Sequence, residues 1–235
     1  MIRVTDGSKI RTITIDRPAS RNALTSEGLD DLAEAVENAG QSVIHLHGEG
    51  TAFCAGADLD TVAELNQDSA EAFAERGQRT ANAIERAESV VVAGIDGFAR
   101  GGGVELALAC DLRVATPNAT FAEPGVQLGI FGAWGGTARL PEIVGLGDAL
   151  DLALSGRVVD AEEARRMGLV SRITDDPRAV AEKVADNAPD ALRVVKSRVR
   201  DRSSIGVQAA REAEAFGELV AEHAEDIAAT RRATK

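Results

Sequence analysis

The chain has 235 residues, enough for one good-sized domain, and its 44% hydrophobic and 27% charged residues are typical of a soluble globular protein. Aromatic residues make up only 3% and tyrosine is absent, which argues against stacking platforms for bases or sugars. The formal net charge of −12 argues against a broad nucleic-acid-binding surface, because such a surface requires clustered lysine and arginine.

Neither a membrane span nor a secretion signal is visible in the sequence. No apolar run approaches the ~20 residues of a spanning helix, and residues 1–11 lack the pattern of a signal peptide. Cys54 and Cys110 lie far apart among small or apolar neighbours, which favours two buried thiols over a disulfide. We therefore expect a soluble, cytoplasmic protein that contacts neither membrane nor nucleic acid.

The first predicted elements alternate between strand and helix. Residues 10–16 alternate between apolar and polar side chains, as in a half-buried strand, and residues 90–95 form a short apolar run typical of a strand buried on both faces. Further strands are predicted at residues 43–47 and 111–115, and helices starting after Thr25 or Ser26, over residues 69–87 and over residues 104–109.

This alternation continues to about residue 175 and is typical of an α/β fold with mainly parallel strands. Residues 178–235 contain only Pro189 and two glycines as helix breakers, so they are predicted to be helical throughout. We therefore divide the chain into a core of residues 1–175 and a C-terminal helical region of residues 176–235.

A glycine-rich segment, FARGGGVE at residues 98–105, joins a predicted strand to a predicted helix. Gly101, Gly102 and Gly103 let a ligand approach the backbone closely, and the free amides at a helix start favour negative charge. A tight strand-to-helix turn is the simpler interpretation. The spacing matches neither the GxGxxG dinucleotide motif nor a Walker loop.

Glu105 lies in the first turn of the helix that follows these glycines. Its neighbours make the helix apolar nearly all round, so we expect it to be buried. A glutamate in a first turn has an ordinary role, a favourable interaction with the helix dipole. A buried carboxyl group, however, tends to have a raised pKa, which suits proton transfer, and we favour this functional interpretation.

Several motifs in order resemble the crotonase (enoyl-CoA hydratase/isomerase) superfamily. The paired signature is FCAGADL followed about forty residues later by GFARGGGVELALACD, with RPASRNALT before it and GIFGAWGGTARLP, LSGR and EEARRMGLVSRI after it. The resemblance covers residues 10–175 closely and the tail loosely. It implies a spiral of repeated ββα units with a C-terminal helical region that supports homotrimers, often paired into hexamers.

The resemblance also implies an activity: hydration of a trans-2-enoyl-CoA to a 3-hydroxyacyl-CoA, or a double-bond shift, through a thioester enolate. Coenzyme A would enter as part of the acyl-CoA substrate, with no permanently bound cofactor. The backbone amides of Ala57 and Gly102 would form the oxyanion hole. Substrate and coenzyme A contacts are expected from Arg21, Ala23, Ala55, Gly56, Asp58, Leu59, Gly101, Gly125 and Trp134.

Some of these residues have structural interpretations as well. Arg17 and Arg21 offer positive charge near the coenzyme A path, or are simply solvated loop residues. Asp58 more often caps a helix or forms an ion pair than catalyses, and Trp134 either walls the acyl pocket or packs in the core. In the tail, Arg231, Arg232 and Lys235 are candidates for contacts with coenzyme A.

The sequence departs from the family at the second catalytic position. Family hydratases use two glutamates, because adding water requires one group to take a proton and another to give one. Glu105 matches the first, but Gly125 stands where the second is expected. Glu123 precedes a proline, so we expect an extended segment in which residues 123 and 125 share a face. Glu123 is then a partial substitute, roughly 6–7 Å away by strand rise.

This departure leaves other functions open. The same oxyanion hole serves acyl-CoA decarboxylases and thioester hydrolases, and loss of one acid also fits a catalytically reduced, coenzyme-A-binding member. No metal site is predicted: His45 and His47 share a strand face without a third ligand at suitable spacing, and His223 lies in a polar helix.

Overall fold

The computed structural model describes residues 1–233 and divides the chain into two compact units, Met1–Asp186 and a C-terminal unit that begins at Asn187. The strands of the first unit, in chain order, are β1 (Ile2–Asp6), β2 (Ile10–Ile15), β3 (Val43–Gly48), β4 (Ala52–Cys54), β5 (Val90–Ile95), β6 (Phe98–Arg100), β7 (Leu112–Ala115), β8 (Thr120–Ala122), β9 (Val159–Asp160) and β10 (Arg172–Ile173).

The helices of the first unit connect these strands. They are α1 (Ser26–Glu37), α2 (Leu59–Ala63), α3 (Gln67–Arg86), α4 (Gly102–Ala109), α5 (Gly136–Ser155), α6 (Ala161–Arg166) and α7 (Pro177–Ala185), with short 3-10 helices at Pro18–Ser20 and Pro124–Leu128. The predicted elements are therefore present, including the start of α1, where the Thr25 hydroxyl accepts a hydrogen bond from the Gly28 amide.

Two sheets form the unit. The larger has the order β1-β2-β3-β5-β7-β10, and the smaller has the order β4-β6-β8-β9. Only β1 with β2 and β8 with β9 pair antiparallel, so the predicted parallel α/β architecture is confirmed. β5 is buried along its whole length, as its apolar run predicted.

Helix α4 lies in the interior. All eight of its residues are buried, and it contacts α3, α5, β4 and β6. A helix that is apolar all round is expected to be enclosed on every side, and Glu105 is the single acidic residue among its first turns. The fold therefore carries one carboxyl group into an otherwise apolar core.

Helix α5 is interrupted at Gly145, whose φ of 81° and ψ of 160° are not helical. Pro141, four residues earlier, also lies inside the helix. The interruption divides α5 into an N-terminal half, which follows the loop at residues 129–135, and a C-terminal half that ends at Gly156.

Strand β3 carries two stacked histidines, His45 and His47, with ring centroids 5.1 Å apart. His47 contacts the Thr14 hydroxyl and the Gly48 carbonyl, whereas neither ring nitrogen of the buried His45 has a hydrogen-bond partner among the described residues. Burial lowers the pKa of His45 to about 4, helped by the charges of His47 and Arg178.

The first unit extends beyond residue 175, where the sequence analysis places the boundary. Helix α7 packs against β2, β3, β5 and β7, so it belongs to the core unit and the division falls after Asp186. The physical reason is that α7 has its own buried apolar stripe, of Val180, Ala181 and Ala185, which covers the sheet.

The second unit contains α8 (Pro189–Val199), α9 (Ile205–Glu222) and α10 (Ala224–Ala233), so the prediction of a helical tail is confirmed for the described residues. His223 is ion-paired with Asp190 at 2.7 Å, which raises the pKa of His223. Arg231 and Arg232 lie in α10, and Lys235 lies outside the described residues. None of the helices within residues 1–233 combines the length and the apolar character that crossing a membrane requires.

Candidate active site

The site begins with a loop between β2 and α1 that is fixed by a buried asparagine. Asn22 has a φ of 61°, accepts a hydrogen bond from the Arg17 amide and donates to the carbonyls of Glu49 and Ala52. These bonds hold the loop against the start of β4. They explain why an asparagine, which tolerates left-handed backbone and hydrogen-bonds locally, stands at this position.

The same loop positions the segment around Ala57. The Leu24 amide donates to the Gly56 carbonyl at 2.8 Å and the Asp58 amide donates to the Leu24 carbonyl at 2.9 Å, so residues on both sides of Ala57 are tied to Leu24. The backbone hydrogen bonds of the described residues include none donated by the Ala57 amide. This amide is therefore available to a ligand.

Gly56 brings this segment into contact with the start of α4. Its φ is +87°, and a Cβ added to it would lie 2.6 Å from the Arg100 carbonyl oxygen and 2.9 Å from the Gly102 nitrogen. No other residue fits such a position without moving the backbone. The predicted partners Ala57 and Gly102 are thus held on adjoining segments.

The Gly102 amide lies at the first position of α4, where a helix has no internal acceptor for it. It is not a donor in the backbone hydrogen bonds of residues 1–233. The preceding Gly101 has a φ of 47° and a ψ of −119°, a conformation suited to glycine. Two unused amides on adjoining segments, one with the positive end of a helix dipole behind it, form a site for a developing negative charge.

Glu105 lies one helical turn further along and is 1% exposed. Its Oε1 accepts hydrogen bonds from the amides of Trp134, at 2.9 Å, and of Gly136, at 2.7 Å. Burial raises the pKa of the Glu105 carboxyl, while these two bonds and the charge of Arg139 act in the opposite direction. The two amides fix one oxygen, so the other, Oε2, is left to face the cavity side.

Glu123 follows strand β8 and immediately precedes the 3-10 helix Pro124–Leu128. Its Oε1 is buried and has no hydrogen-bond partner among the described residues. Burial raises the pKa of Glu123 well above its usual range, and the nearby negative charge of Glu105 raises it further. A carboxyl group in such surroundings favours the protonated form.

The two carboxyl groups meet beside Gly132. Oε2 of Glu105 and Oε2 of Glu123 lie 2.9 and 3.0 Å from the point that a Cβ of Gly132 would occupy. The sum of these distances, 5.9 Å, is the upper limit on the separation of the two oxygens. A glycine at residue 132 is required, because any side chain there would displace one of the carboxyl groups.

The structure corrects the expected conformation at residues 123–125. The predicted extended segment is wrong, because Pro124 starts a 3-10 helix rather than continuing the strand. Glu123 therefore does not point alongside residue 125 at a distance; it meets Glu105 directly. A Cβ on Gly125 would lie 3.0 Å from the Phe131 Cα and 3.1 Å from the Ile130 carbonyl oxygen, so the backbone leaves little room for a side chain there.

Two cavities adjoin the carboxyl groups. One of about 240 Å³ has Glu105, Phe131 and Gly132 in its wall, together with most of the predicted substrate contacts: Ala55, Ala57, Leu59, Gly101, Gly102, Gly125 and Trp134. The other, of about 180 Å³, contains both Glu105 and Glu123 and is otherwise lined mainly by apolar residues of α5. Ligand pockets of this apolar character with a few polar groups are typical of small-molecule sites.

Three predicted contacts do not line either cavity. Arg21 is exposed in a left-handed conformation, and Ala23 is buried with its carbonyl bound by Arg17. Asp58 caps α2 by accepting from the Thr61 amide at 2.9 Å and is ion-paired with Arg17. The Asp58 carboxylate and the Arg17 guanidinium therefore satisfy each other.

Sequence reasoning did not find the loop residues that complete the site. Gly132 and Gly136 surround the Glu105 carboxyl, and Phe131 lies in the wall of both cavities. The sequence signal was present in the glycines of GIFGAWGGT, since closely spaced glycines mark places where the backbone approaches another group.

Comparison with known proteins agrees with this geometry. The family model described as enoyl-CoA hydratase/isomerase matches residues 5–228. The chain is 36% identical over 223 residues to a short-chain-enoyl-CoA hydratase of Clostridium acetobutylicum, which covers 89% of this chain and 85% of that protein.

Solved structures give the same result. An enoyl-CoA hydratase from Bacillus anthracis superposes with a TM-score of 0.90 at 30% identity, covering 98% of this chain and 96% of that one. A putative enoyl-CoA hydratase from Thermobifida fusca, in complex with acetoacetyl-CoA, has a TM-score of 0.85 at 27% identity, with 94% and 95% covered. The chain therefore belongs to the enoyl-CoA hydratase/isomerase family.

Proposed function

We propose that this protein hydrates short-chain trans-2-enoyl-CoA thioesters reversibly to 3-hydroxyacyl-CoA, with Glu105 and Glu123 as the acid–base pair. The observation that carries this proposal is the convergence of the two carboxyl groups beside Gly132, within 5.9 Å of each other. Hydration needs one group to accept a proton and another to donate one, and this pair provides both.

The hydrogen bonds around the two carboxyl groups assign their roles. Glu105 accepts two backbone amides, which stabilise its ionised form, so it takes the proton from the attacking water. Glu123 has a buried oxygen without a partner and favours the protonated form, so it supplies the proton. Two carboxyl groups whose surroundings push their pKa values apart are the usual arrangement for such a division.

The atoms balance in two steps. The water oxygen bonds to C3 of the enoyl group while a water proton passes to Glu105, and the electron pair of the C2–C3 double bond moves into the thioester as an enolate. The amides of Ala57 and Gly102 stabilise the enolate oxygen. C2 then takes a proton from Glu123, and the proton on Glu105 returns the pair to its starting state through exchange between the two groups.

A double-bond shift is the second candidate within this family. It needs proton transfer at two carbons but no attacking water, and a single carboxyl group moving between them is sufficient. The presence of a second carboxyl group beside Glu105 favours hydration. It also argues against the catalytically reduced member that the glycine at residue 125 suggested.

Coenzyme A recognition is proposed on similar grounds. The cavity of about 240 Å³ brings the two unused amides and Glu105 into one wall, so a thioester placed there presents its acyl carbons to the carboxyl groups. Arg21, which is exposed beside the Asn22 turn, is the candidate contact for the negatively charged part of coenzyme A. Arg17 is less suited, because it is paired with Asp58.

A panel of thioesters tests the reaction. Crotonyl-CoA, a trans-3-enoyl-CoA and malonyl-CoA are incubated with the protein, and loss of the conjugated enoyl absorbance, its gain, release of CO₂ and release of free thiol are followed. We expect hydration of crotonyl-CoA to be the fastest reaction and Glu105→Gln to slow it at least about 100-fold. Full activity of Glu105→Gln, or binding of the whole panel without turnover, would contradict the proposal.

We also propose self-association into trimers or pairs of trimers through the C-terminal helices. Support comes from large apolar side chains that are exposed on the second unit: Val195, Val199, Ile205, Phe216 and Ile227. Light scattering after gel filtration measures the mass directly. A cytoplasmic location is proposed because Cys54 and Cys110 are buried thiols, as suits a reducing compartment.

A further inference from the structure

The indole of Trp134 lies between two glycines on different elements. A Cβ added to Gly77 of α3 would lie 2.0 Å from Cδ1 of the indole, and a Cβ added to Gly102 would lie 2.2 Å from Cζ3. The five-membered ring thus rests on α3 and the six-membered ring on the first residue of α4. Both glycines are needed for the ring to fit, because any side chain at either position would overlap it.

Gly77 has no other evident purpose. It lies inside the 20-residue helix α3, is buried, and has no positive φ that would require glycine. Glycine in a helix interior is unfavourable, so its presence there needs a packing reason. Contact with Trp134 supplies that reason.

The backbone of Trp134 has a second role at the same place. Its amide donates to Oε1 of Glu105 at 2.9 Å. The preceding carbonyl, of Ala133, accepts a hydrogen bond from the Gln78 side chain at 2.9 Å, which ties the loop to α3. Phe73 of α3 completes the surroundings with an edge-on ring contact at 5.9 Å between centroids.

We infer that Trp134 is a positioning residue that sets the distance between the oxyanion hole and the general base. Its ring fixes Gly102, whose amide binds the thioester oxygen, and its amide fixes Glu105, which acts on the acyl carbons. This inference rests on the proposed function for the roles of Gly102 and Glu105. It assigns the residue a catalytic consequence without contact with the reacting atoms.

The physical argument concerns orientation. A substrate held at its carbonyl oxygen reaches the carboxyl group correctly only if the two anchor points keep a fixed separation, and an error of about 1 Å costs roughly 100-fold in rate. An indole is rigid and fills the space between α3 and α4 at close packing. A smaller ring keeps the amide bond to Glu105 but leaves Gly102 without its support.

Two substitutions test the inference from opposite sides of the ring. Trp134→Phe withdraws the six-membered ring from Gly102, and Gly77→Ala presses the indole from α3. Each is expected to lower kcat at least about tenfold with less than about threefold change in KM. In the double variant, Gly77→Ala is expected to add little, because the smaller ring leaves room for its methyl group.

A second readout does not need turnover. Acetoacetyl-CoA bound in an oxyanion hole ionises to its enolate, which absorbs in the near ultraviolet, so the enolate fraction of the bound ligand reports how well the two amides are placed. We expect this fraction to fall in both single variants. Trp134 is the only tryptophan of the chain, so its fluorescence in the wild-type protein measures ligand binding beside Gly102 independently.

Leu32→Ala in α1 is the matched control for loss of core packing, since Leu32 is fully buried and distant in sequence from the site. It is expected to lower the melting temperature while leaving kcat and the enolate fraction unchanged at temperatures where it is folded. Unchanged kcat and enolate fraction in both Trp134→Phe and Gly77→Ala, or effects that multiply in the double variant, would overturn the inference.

The outcome remains separate from that of the proposed function. If the wild-type protein hydrates no enoyl-CoA but forms the enolate of acetoacetyl-CoA, and both variants lose it, the proposed reaction is wrong while the positioning role stands. If the wild-type protein forms no enolate from the bound ligand, the oxyanion hole is absent and the inference falls.

Discussion

Glu105 and Glu123 reach the same point beside Gly132 from two regions of different construction. Glu105 comes from α4, a helix buried on all sides, and two backbone amides bind its carboxyl group. Glu123 comes from the end of β8, where a proline starts a 3-10 helix, and one of its oxygens has no partner among the described residues. Burial raises the pKa of both groups. The difference shows that hydrogen bonds, rather than burial, decide which carboxyl group keeps its charge.

The largest expected effect comes from removing either acid. Glu105→Gln and Glu123→Gln are each expected to lower kcat for crotonyl-CoA by about 10²–10⁴, the usual contribution of a positioned acid or base. The double variant is expected to fall much less than the product of the two losses, because the residues act as a unit. Steady-state kinetics of the four proteins checks this. Independent, multiplicative losses would show that the two groups do not share one proton cycle.

The pH profile tests the division of roles. The rate is expected to rise as Glu105 ionises, above the ordinary pKa of a glutamate, and to fall at higher pH as Glu123 loses its proton. Each limb changes about tenfold per pH unit, and the apparent values belong to the coupled pair. Measurements of kcat/KM across pH should therefore give a bell. If Glu123→Gln keeps the alkaline limb, the limb comes from another group.

His45 sharpens the comparison, because it is a second buried group without partners but of opposite charge type. Its pKa is lowered to about 4, so the unfolded chain binds the proton more readily than the folded one as pH falls below 6.5. Stability is then lost between pH 6.5 and 4, by an amount on the order of 3 kcal/mol. The groups facing His45 are His47, Arg178 and Asp176.

Urea denaturation at several pH values, with His45→Leu as the comparison, measures this loss. The variant should show a weaker decline in stability over the same pH range, because its side chain does not titrate. Parallel declines in the two proteins would assign the acid sensitivity to other residues.

The smallest effect concerns stability rather than rate. Since the pKa of Glu123 is raised, the folded protein holds its proton more tightly than the unfolded chain, and stability falls as pH rises above the ordinary glutamate pKa. Glu123→Gln removes this penalty and is expected to be more stable than wild type by about 1–2 kcal/mol near pH 8. Thermal melts at pH 5 and pH 8 check it. A variant that is less stable at pH 8 would show that the carboxylate has a favourable partner.

The regular elements of the fold were predictable because local patterns specified them. The alternation of β2, the apolar run of β5 and the glycines before α4 each carry their structure in a few adjacent residues. The hairpin partner β1 was missed, because four of its five residues are exposed and it has no apolar face. The end of the core unit was placed too early, since only tertiary packing shows that α7 belongs to the sheet.

The site was predictable in part for the same reason. Glu105, Ala57 and Gly102 lie in motifs whose spacing is local. The meeting of Glu105 with Glu123 was not, because it depends on a change of backbone direction at Pro124 and on the loop that brings Gly132 between them. A sequence shows that position 125 lacks an acid, but only the fold shows that position 123 reaches the same place.

The interruption of α5 at Gly145 separates two tasks along one helix. Its N-terminal half supplies the Gly136 amide to Glu105, while its C-terminal half supplies Leu146, Ala149, Leu150 and Ala153 to the apolar cavity of about 180 Å³. Because the helical hydrogen-bond ladder is broken between them, the two halves are able to diverge at different rates in evolution. Substitutions beyond residue 145 reshape that cavity at little risk to the proton chemistry, so selection has a place in which to vary the pocket while the acid–base pair stays constant.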